Sequence, residues 1–109
     1  MRDLDTPLQQ LFGFPAFRGP QRAVVEHFLG GGSALVLMPT GGGKSLCYQL
    51  PAFVRDGLTI VVSPLIALMD DQVAALAQRG LPATCIHSQI ERDDRERRLQ
   101  RARDGAVKL

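Results

Sequence analysis

Cysteine is scarce in this sequence, which limits the kinds of metal site and crosslink that it can build. Cys47 and Cys85 are the only cysteines among the 109 residues. They lie far apart along the chain, and neither belongs to a pair of ligands with the spacing typical of a zinc site. We therefore expect free thiols in a reducing compartment, and we expect no zinc within this segment.

The chain also lacks a long apolar run and an excess of charge of one sign. Residues 1–14 include acidic side chains, and no apolar run approaches the roughly 20 residues that cross a bilayer, so neither a signal peptide nor a membrane span is expected. The 13 basic and 11 acidic residues give a net charge of +2, which by itself does not indicate a nucleic-acid partner. A hydrophobic fraction of 45% is typical of one globular domain or part of one.

Apolar periodicity predicts helices that alternate with short strands. Helices are expected over residues 4–12, 21–29, 45–54, 65–78 and 91–103. Within the third of these, Pro51 should either kink the helix or mark a second short one. Strands are expected at 34–38, 59–63, 83–86 and 106–109, since these runs are apolar or β-branched and border glycine or proline.

This alternation predicts an α/β fold, in which right-handed crossovers build a parallel sheet flanked by helices. A strand such as 34–38, apolar throughout, should be buried on both faces of the sheet. The fourth strand is cut off at Leu109, so we expect that the chain is a truncated product or a fragment.

A glycine-rich loop joins the first predicted strand to the helix that follows it. It reads MPTGGGKS from Met38 to Ser45, and this context of strand, loop and helix is typical of a phosphate-binding P-loop. Gly41, Gly42 and Gly43 can adopt positive φ angles, so that their backbone N–H groups surround phosphate oxygens at the positive end of the helix. In such loops the lysine, here Lys44, reaches the β and γ phosphates, and the hydroxyl of Ser45 binds Mg²⁺.

Three sequence blocks resemble the RecQ family of ATP-dependent DNA helicases, which belongs to helicase superfamily 2. Residues 40–52 (TGGGKSLCYQLPA) are similar to the segment around motif I of the family. Residues 12–21 (FGFPAFRGPQ) resemble its motif 0, and residues 61–73 (VVSPLIALMDDQV) resemble its motif Ia. The resemblance implies a P-loop NTPase fold of the RecA-like type. It divides the chain into N-terminal helices with motif 0 (1–32) and the first part of the ATP-binding domain (33–109).

The same resemblance assigns a nucleotide site. Motif 0 in the family reads adenine, which implies that Gln21 makes two hydrogen bonds to the base while Phe14 and Arg18 hold it from either side. An amide offers one donor and one acceptor, and these match the amine and ring nitrogen of adenine. Motif I implies contacts to the phosphates of ATP with Mg²⁺ through the residues Thr40, Gly41, Gly42, Gly43, Lys44 and Ser45.

Contacts to DNA are implied for motifs Ia and Ib. Motif Ia lies along single-stranded DNA in the family, so Ser63, Pro64 and the start of the following helix are candidates for phosphate contact. His87 and Ser88 fall where the family tends to place a motif Ib contact, although a surface turn is an equally good interpretation. The arginine-rich helix 91–103 also carries many acidic residues and is interpreted as a solvated helix with ion pairs.

The resemblance implies an ATP-driven motor that moves 3′ to 5′ on single-stranded and partly duplex DNA, with unwinding in recombination and repair. The cytoplasm, near the nucleoid, or the nucleus is the expected location. Two alternatives stay open at this point. One is a fragment of a DEAD-box-like RNA helicase, which shares an upstream glutamine and a similar loop, and the other is a stand-alone ATP-binding module.

One motif needed for hydrolysis is missing from the sequence. No Asp-Glu pair follows a predicted strand, although such a pair holds Mg²⁺ and orients water in these motors. Phosphoryl transfer also usually needs an arginine finger, which contributes about 10³ to 10⁵ in rate. We therefore expect the 109 residues alone to be inactive as an ATPase, with the acidic motif, the finger and a second motor domain lying downstream.

Overall fold

A computed structural model of the chain describes residues 3–38 and 43–109. It divides into two compact units, residues 3–56 and residues 57–109, which are described separately below. Five helices occur in the described ranges: α1 (Asp5–Phe12), α2 (Gln21–Leu29), α3 (Lys44–Val54), α4 (Ile66–Gln78) and α5 (Arg92–Arg103).

The helix predictions are confirmed to within a residue at almost every end. Helix α2 has the predicted bounds, and Leu65 and Glu91 are the N-caps of α4 and α5. Of the two alternatives for Pro51, the second short helix is not seen, because the proline lies inside the single helix α3. Helical spacing of apolar residues was a sufficient signal for α1 to α4, since each of these helices buries at least one apolar side chain.

The first unit has a small core made by its three helices. The fully buried side chains include Leu4, Leu8, Val25 and Leu50. They come from the beginning, the middle and the end of the unit's sequence. The ring of Phe12 at the end of α1 lies 6.4 Å from that of Phe53 in α3, at a tilt of 55°. This tilted arrangement is favourable for aromatic pairs, and it fastens α1 to α3.

Both ends of α1 are closed by local hydrogen bonds. The carboxylate of Asp3 accepts from the backbone N–H groups of Asp5 (3.0 Å) and Thr6 (3.3 Å). A hydrogen bond with the Thr6 side chain, followed by these backbone bonds, lowers the pKa of Asp3. At the other end Gly13 is left-handed, with φ 74°. A left-handed glycine is the common way to end a helix, because it lets its N–H bond to the last turn.

Three extended segments run beside one another in the second unit. The Lys108 N–H donates to Pro82 O, and the Thr84 N–H donates to Leu109 O, both at 3.0 Å. On its other side, Lys108 O accepts from the Thr59 N–H at 3.0 Å. The paired positions advance in the same direction along 82–84 and 108–109, which is the sense of a parallel pair.

The described residues nevertheless contain no β-strand, so the predicted parallel sheet is not seen. The prediction that segment 34–38 is buried on both faces is also not met, since Leu35 is 88% and Leu37 87% exposed. The physical reason is that a parallel strand needs a partner on each edge and cover on each face. The rest of the first unit, where it is described, consists of helices and their loops and supplies neither.

Helices α5 and α4 both expose side chains to solvent. Helix α5 has no buried residue and carries ion pairs of Asp94 with Arg97 (3.3 Å) and Arg98 (3.2 Å), as predicted for a solvated helix. In α4, by contrast, the apolar side chain of Leu68 is 42% exposed. None of the helices in the described ranges is long and apolar enough to cross a membrane.

The core of the first unit can be tested on a single helix. Leu8 and Gln10 both lie in α1, but Leu8 is fully buried and Gln10 is exposed. We expect Leu8→Ala to lower the free energy of unfolding by about 2 to 5 kcal/mol, through lost burial and the cavity left behind. The control Gln10→Ala should change it by less than about 0.5 kcal/mol. Urea denaturation measures both, and equal effects would contradict the packing of α1.

Candidate functional site

One buried glutamine joins the motif 0 loop to the end of the glycine loop. Gln21 is 3% exposed, and its Oε1 accepts from the Arg18 backbone N–H at 2.7 Å. Its Nε2 donates to the backbone oxygen of Gly43 at 3.1 Å. Two positions that are 22 residues apart in sequence are therefore held together by one side-chain amide. The amide uses its oxygen and one of its two N–H groups to do so.

The packing around Gly43 requires a glycine there. Its φ of 81° is in the left-handed region, where other residues are strained. A Cβ added at this position would collide with Nε2 of Gln21 and would come within 3.4 Å of the Arg18 guanidinium. The close approach of Gln21 to the loop therefore depends on the missing side chain.

Helix α3 begins directly after Gly43, and Lys44 and Ser45 form its first turn. Lys44 is exposed and Ser45 is half-buried. The N-cap Gly43 provides no side-chain cap to the helix, and the backbone N–H groups of a helix's first turn, with the helix dipole, attract anions. The predicted site residues Thr40, Gly41 and Gly42 lie outside the described residues.

The two predicted partners of the base lie in the loop between α1 and α2. Phe14 is 45% exposed and Arg18 is also exposed, so a flat ligand can reach both side chains. The next arginine along the chain has a different role. The Arg22 guanidinium lies 4.9 Å from the centre of the Phe17 ring and pairs with Asp5, which holds the loop against α1 and α2.

In the second unit, Ser63 and Pro64 precede α4, as the sequence predicted. The Ser63 Oγ accepts from the Leu65 N–H at 3.2 Å, a short-range bond that organises the entry to the helix. Pro64 is exposed. The polar start of α4 is thus open at the position where the sequence places a phosphate contact.

The side chain of His87 is much less exposed to solvent than its neighbour Ser88. Ser88 is exposed, whereas the His87 side chain is only 8% exposed and its Nε2 lies 3.0 Å from Asp70 Oδ1 in α4. The Cys85 thiol also donates to this oxygen, at 3.4 Å. The hydrogen bond from His87 is the main cause of a lowered pKa for Asp70. Burial, followed by the neighbouring carboxylate, raises the pKa of Cys85.

Sequence reasoning missed this group of three side chains. Asp70 had been placed only in the motif Ia helix, and Cys85 had been interpreted only as a free thiol. The one available signal was the short spacing from Cys85 to His87, since residues two apart in an extended segment lie on the same side. Cys47, the other cysteine, is buried in α3, and burial raises the pKa of its thiol.

Comparisons with known proteins give a consistent result. Residues 18–108 match the DEAD/DEAH box helicase family. The chain is 46% identical over 108 residues to an ATP-dependent DNA helicase RecQ of Synechocystis, covering 99% of this chain and 23% of the relative. It is 44% identical to RecQ of Haemophilus influenzae, over 94% of this chain and 16% of the relative. It is also 51% identical to human ATP-dependent DNA helicase Q4, over 92% of this chain and 8% of the relative.

The contact between Gln21 and Gly43 can be tested with two glycine variants. Gly31 is also left-handed, with φ 86°, but a Cβ there meets nothing within 4 Å. Gly31→Ala therefore pays only the backbone strain of about 1 to 2 kcal/mol. Gly43→Ala should cost about 1 to 3 kcal/mol more, because the buried Gln21 amide loses its partner.

Urea unfolding of the two variants gives this difference directly. Equal losses of unfolding free energy would show that Gln21 does not pack against Gly43.

Proposed function

The chain belongs to the DEAD/DEAH box helicase family, and on this basis we propose that it is the N-terminal ATP-binding part of a RecQ-type DNA helicase. The chain spans 8% to 23% of the length of the three relatives described above, so the activity of a whole motor is part of this proposal. The single observation that carries it is the junction of Gln21 with Gly43 at the start of α3, because it brings a base-reading amide next to a phosphate loop.

The nucleotide site has an adenine end and a phosphate end. At the adenine end, Gln21 reads the base, while the exposed Phe14 and Arg18 hold its two faces. Each polar atom of the Gln21 amide makes one bond to the backbone, which leaves a second N–H and a second lone pair to pair with adenine. A base that cannot match these groups leaves buried polar atoms unpaired, which costs free energy.

The phosphate end consists of the loop residues Thr40, Gly41, Gly42 and Gly43 and the first turn of α3. Lys44 is free to extend toward the β and γ phosphates because its side chain is exposed. Ser45 provides a hydroxyl of the kind that binds Mg²⁺ in P-loop proteins. Bound Mg²⁺ supplies charge neutralisation at the phosphates, and the N-terminus of α3 adds a positive dipole end.

We propose the RecA-like arrangement for the fold around this site, in which segments 34–38, 59–63, 83–86 and 106–109 form a parallel sheet flanked by helices. The backbone bonds of Lys108 to the two neighbouring segments support parallel pairing in the second unit. Residues 1–32 carry the adenine-reading element, and residues 33–109 begin the ATP-binding domain. The high exposure of Leu35 and Leu37 is then explained as apolar strand surface that requires cover.

DNA, single-stranded or partly duplex, is the proposed partner, and movement is 3′ to 5′. The relatives are named DNA helicases, which favours DNA over RNA and a motor over a stand-alone ATP-binding module. The start of α4, with Ser63 and Pro64, contacts DNA phosphates. Ser88 contacts them through its exposed hydroxyl, and His87 through its main chain, since its ring faces Asp70. The proposed location is the cytoplasm near the nucleoid, or the nucleus.

Base choice tests the adenine end of the site. The chain should bind ATP about 10 to 100 times more tightly than GTP, since a mispaired amide costs roughly 1 to 3 kcal/mol. Gln21→Ala should remove most of this preference. Competition of ATP and GTP against a fluorescent ATP analogue measures the ratio of their affinities.

A purely structural role of Gln21 would weaken both nucleotides equally and leave the ratio unchanged. Lys44→Ala serves as a second control, because it should weaken both nucleotides without altering the ratio. Equal affinity of the unmutated chain for ATP and GTP would contradict the assignment of Gln21.

Unwinding can be tested in a chimera, in which this chain replaces the matching residues of the Synechocystis relative. The chimera should separate DNA duplexes that carry a 3′ single-stranded tail, and Lys44→Ala should abolish this while leaving the fold intact, since Lys44 is exposed. Arg92→Ala, at a side chain that is 83% exposed, should have no effect. Unwinding of RNA but not DNA duplexes, or activity that survives Lys44→Ala, would refute the proposal.

A further inference from the structure

Three potential metal ligands converge in the second unit, and none of them belongs to the proposed nucleotide residues. They are Asp70 of α4, Cys85 and His87, and one ligand atom from each lies within 4.8 Å of the other two. The carboxylate is central to the group, because Asp70 Oδ1 lies 3.0 Å from His87 Nε2 and 3.4 Å from Cys85 Sγ. No sequence motif marks this group, since Asp70 is separated from the other two by the rest of its helix and a turn.

We propose that Asp70, Cys85 and His87 bind a divalent transition metal ion, with Zn²⁺ as the best match. A thiolate, an imidazole and a carboxylate are together the ligand set of this borderline-soft ion, whereas Mg²⁺ and Ca²⁺ prefer oxygen alone. Bonds of about 2.0 to 2.3 Å to a tetrahedral ion place ligand atoms roughly 3.3 to 3.7 Å apart. The separations of 3.0 Å and 3.4 Å from Asp70 Oδ1 are close to this range, and the remaining pair of ligand atoms lies within 4.8 Å, so small side-chain rotations are sufficient.

Three protein ligands leave the fourth position of a tetrahedral ion to water. The exposure of the Asp70 side chain, 56%, gives water and the ion a route to the group. The His87 ring, in contrast, is nearly buried, so its position is already set by packing. A metal site with three protein ligands needs one side that is open to water and ligands that packing holds in place.

The neighbouring groups are compatible with a bound cation. Arg98 donates to Cys85 O at 2.8 Å and lies 3.6 Å from its sulfur, and its charge is compensated by Asp94 at 3.2 Å. The Gln89 N–H donates to His87 Nδ1 at 3.3 Å. When Nε2 binds a metal, Nδ1 of the neutral ring carries the proton, so the Gln89 amide must give up this bond.

A bound ion would have a consequence for the proposed DNA contacts, although the metal proposal does not depend on them. It would fasten residues 85–88 to α4, and these residues include His87 and Ser88. The ion therefore becomes a positioning element for the turn that we assign to motif Ib. It does not take part in ATP hydrolysis.

Co²⁺ titration of the 109-residue chain tests the proposal, because Co²⁺ occupies zinc sites and is coloured. We expect one equivalent to produce the near-ultraviolet band of a thiolate bound to Co²⁺ and the visible bands of tetrahedral coordination. Zn²⁺ should displace it, since Zn²⁺ binds more tightly in such sites. In ¹⁵N-resolved spectra of the Zn²⁺ form, the Gln89 amide should shift.

The chain offers a matched control for every ligand. Cys85→Ser, His87→Ala and Asp70→Asn should each weaken metal binding by at least about tenfold. Cys47→Ser, His27→Ala and Asp71→Asn change the other cysteine, the other histidine and the adjacent carboxylate, and they should leave the affinity unchanged. If Cys47→Ser does not fold, Zn²⁺ should still protect Cys85 of the unmutated chain from alkylation, as followed by mass spectrometry.

Three results would overturn the proposal. The first is a Co²⁺ spectrum without the thiolate band, and the second is an equal loss of affinity in His27→Ala and His87→Ala. The third is alkylation of Cys85 at the same rate with and without Zn²⁺.

Discussion

The hydrogen bond between the Gln21 amide and the Gly43 backbone is the interaction on which the candidate nucleotide site depends. It fixes the distance between the loop that precedes α2 and the N-terminus of α3. Since the same amide accepts from Arg18, the path of that loop is fixed as well. The left-handed Gly43 is a condition of this contact, because any Cβ would occupy the space of the amide nitrogen. The residue that we propose to read the base and the end of the proposed phosphate loop are thus parts of one hydrogen-bonded unit.

The helix packing of the first unit supports this interaction. Helices α1, α2 and α3 share a core, and the pairing of Phe12 with Phe53 gives α3 a fixed place from which its first turn projects Lys44 and Ser45. The core is buried and apolar while the site residues Phe14, Arg18 and Lys44 are exposed. A packed core of this kind can hold the proposed ligand-binding side chains in place on its loops and helix ends.

Helices were predictable to a large extent, and strands were not. An amphipathic helix satisfies its own backbone hydrogen bonds, so the spacing of residues such as Leu4, Leu8 and Phe12 was enough to locate α1. A strand is different, because its bonds go to other segments. The residues 34–38 have the composition of a buried strand, yet Leu35 and Leu37 are exposed, since sequence composition does not supply the neighbours that a strand requires.

By itself, the sequence determined the five helices, the glycine loop and the order of motifs, because each depends on residues close together in the chain. Only the tertiary structure decided which distant groups meet. It placed the Gln21 side chain against Gly43, and it placed the His87 side chain against Asp70. It likewise brought Cys85 to the same carboxylate, although cysteine spacing had indicated no metal site. These contacts depend on how segments that are distant in sequence pack together, and the spacing of residues along the chain does not indicate that packing.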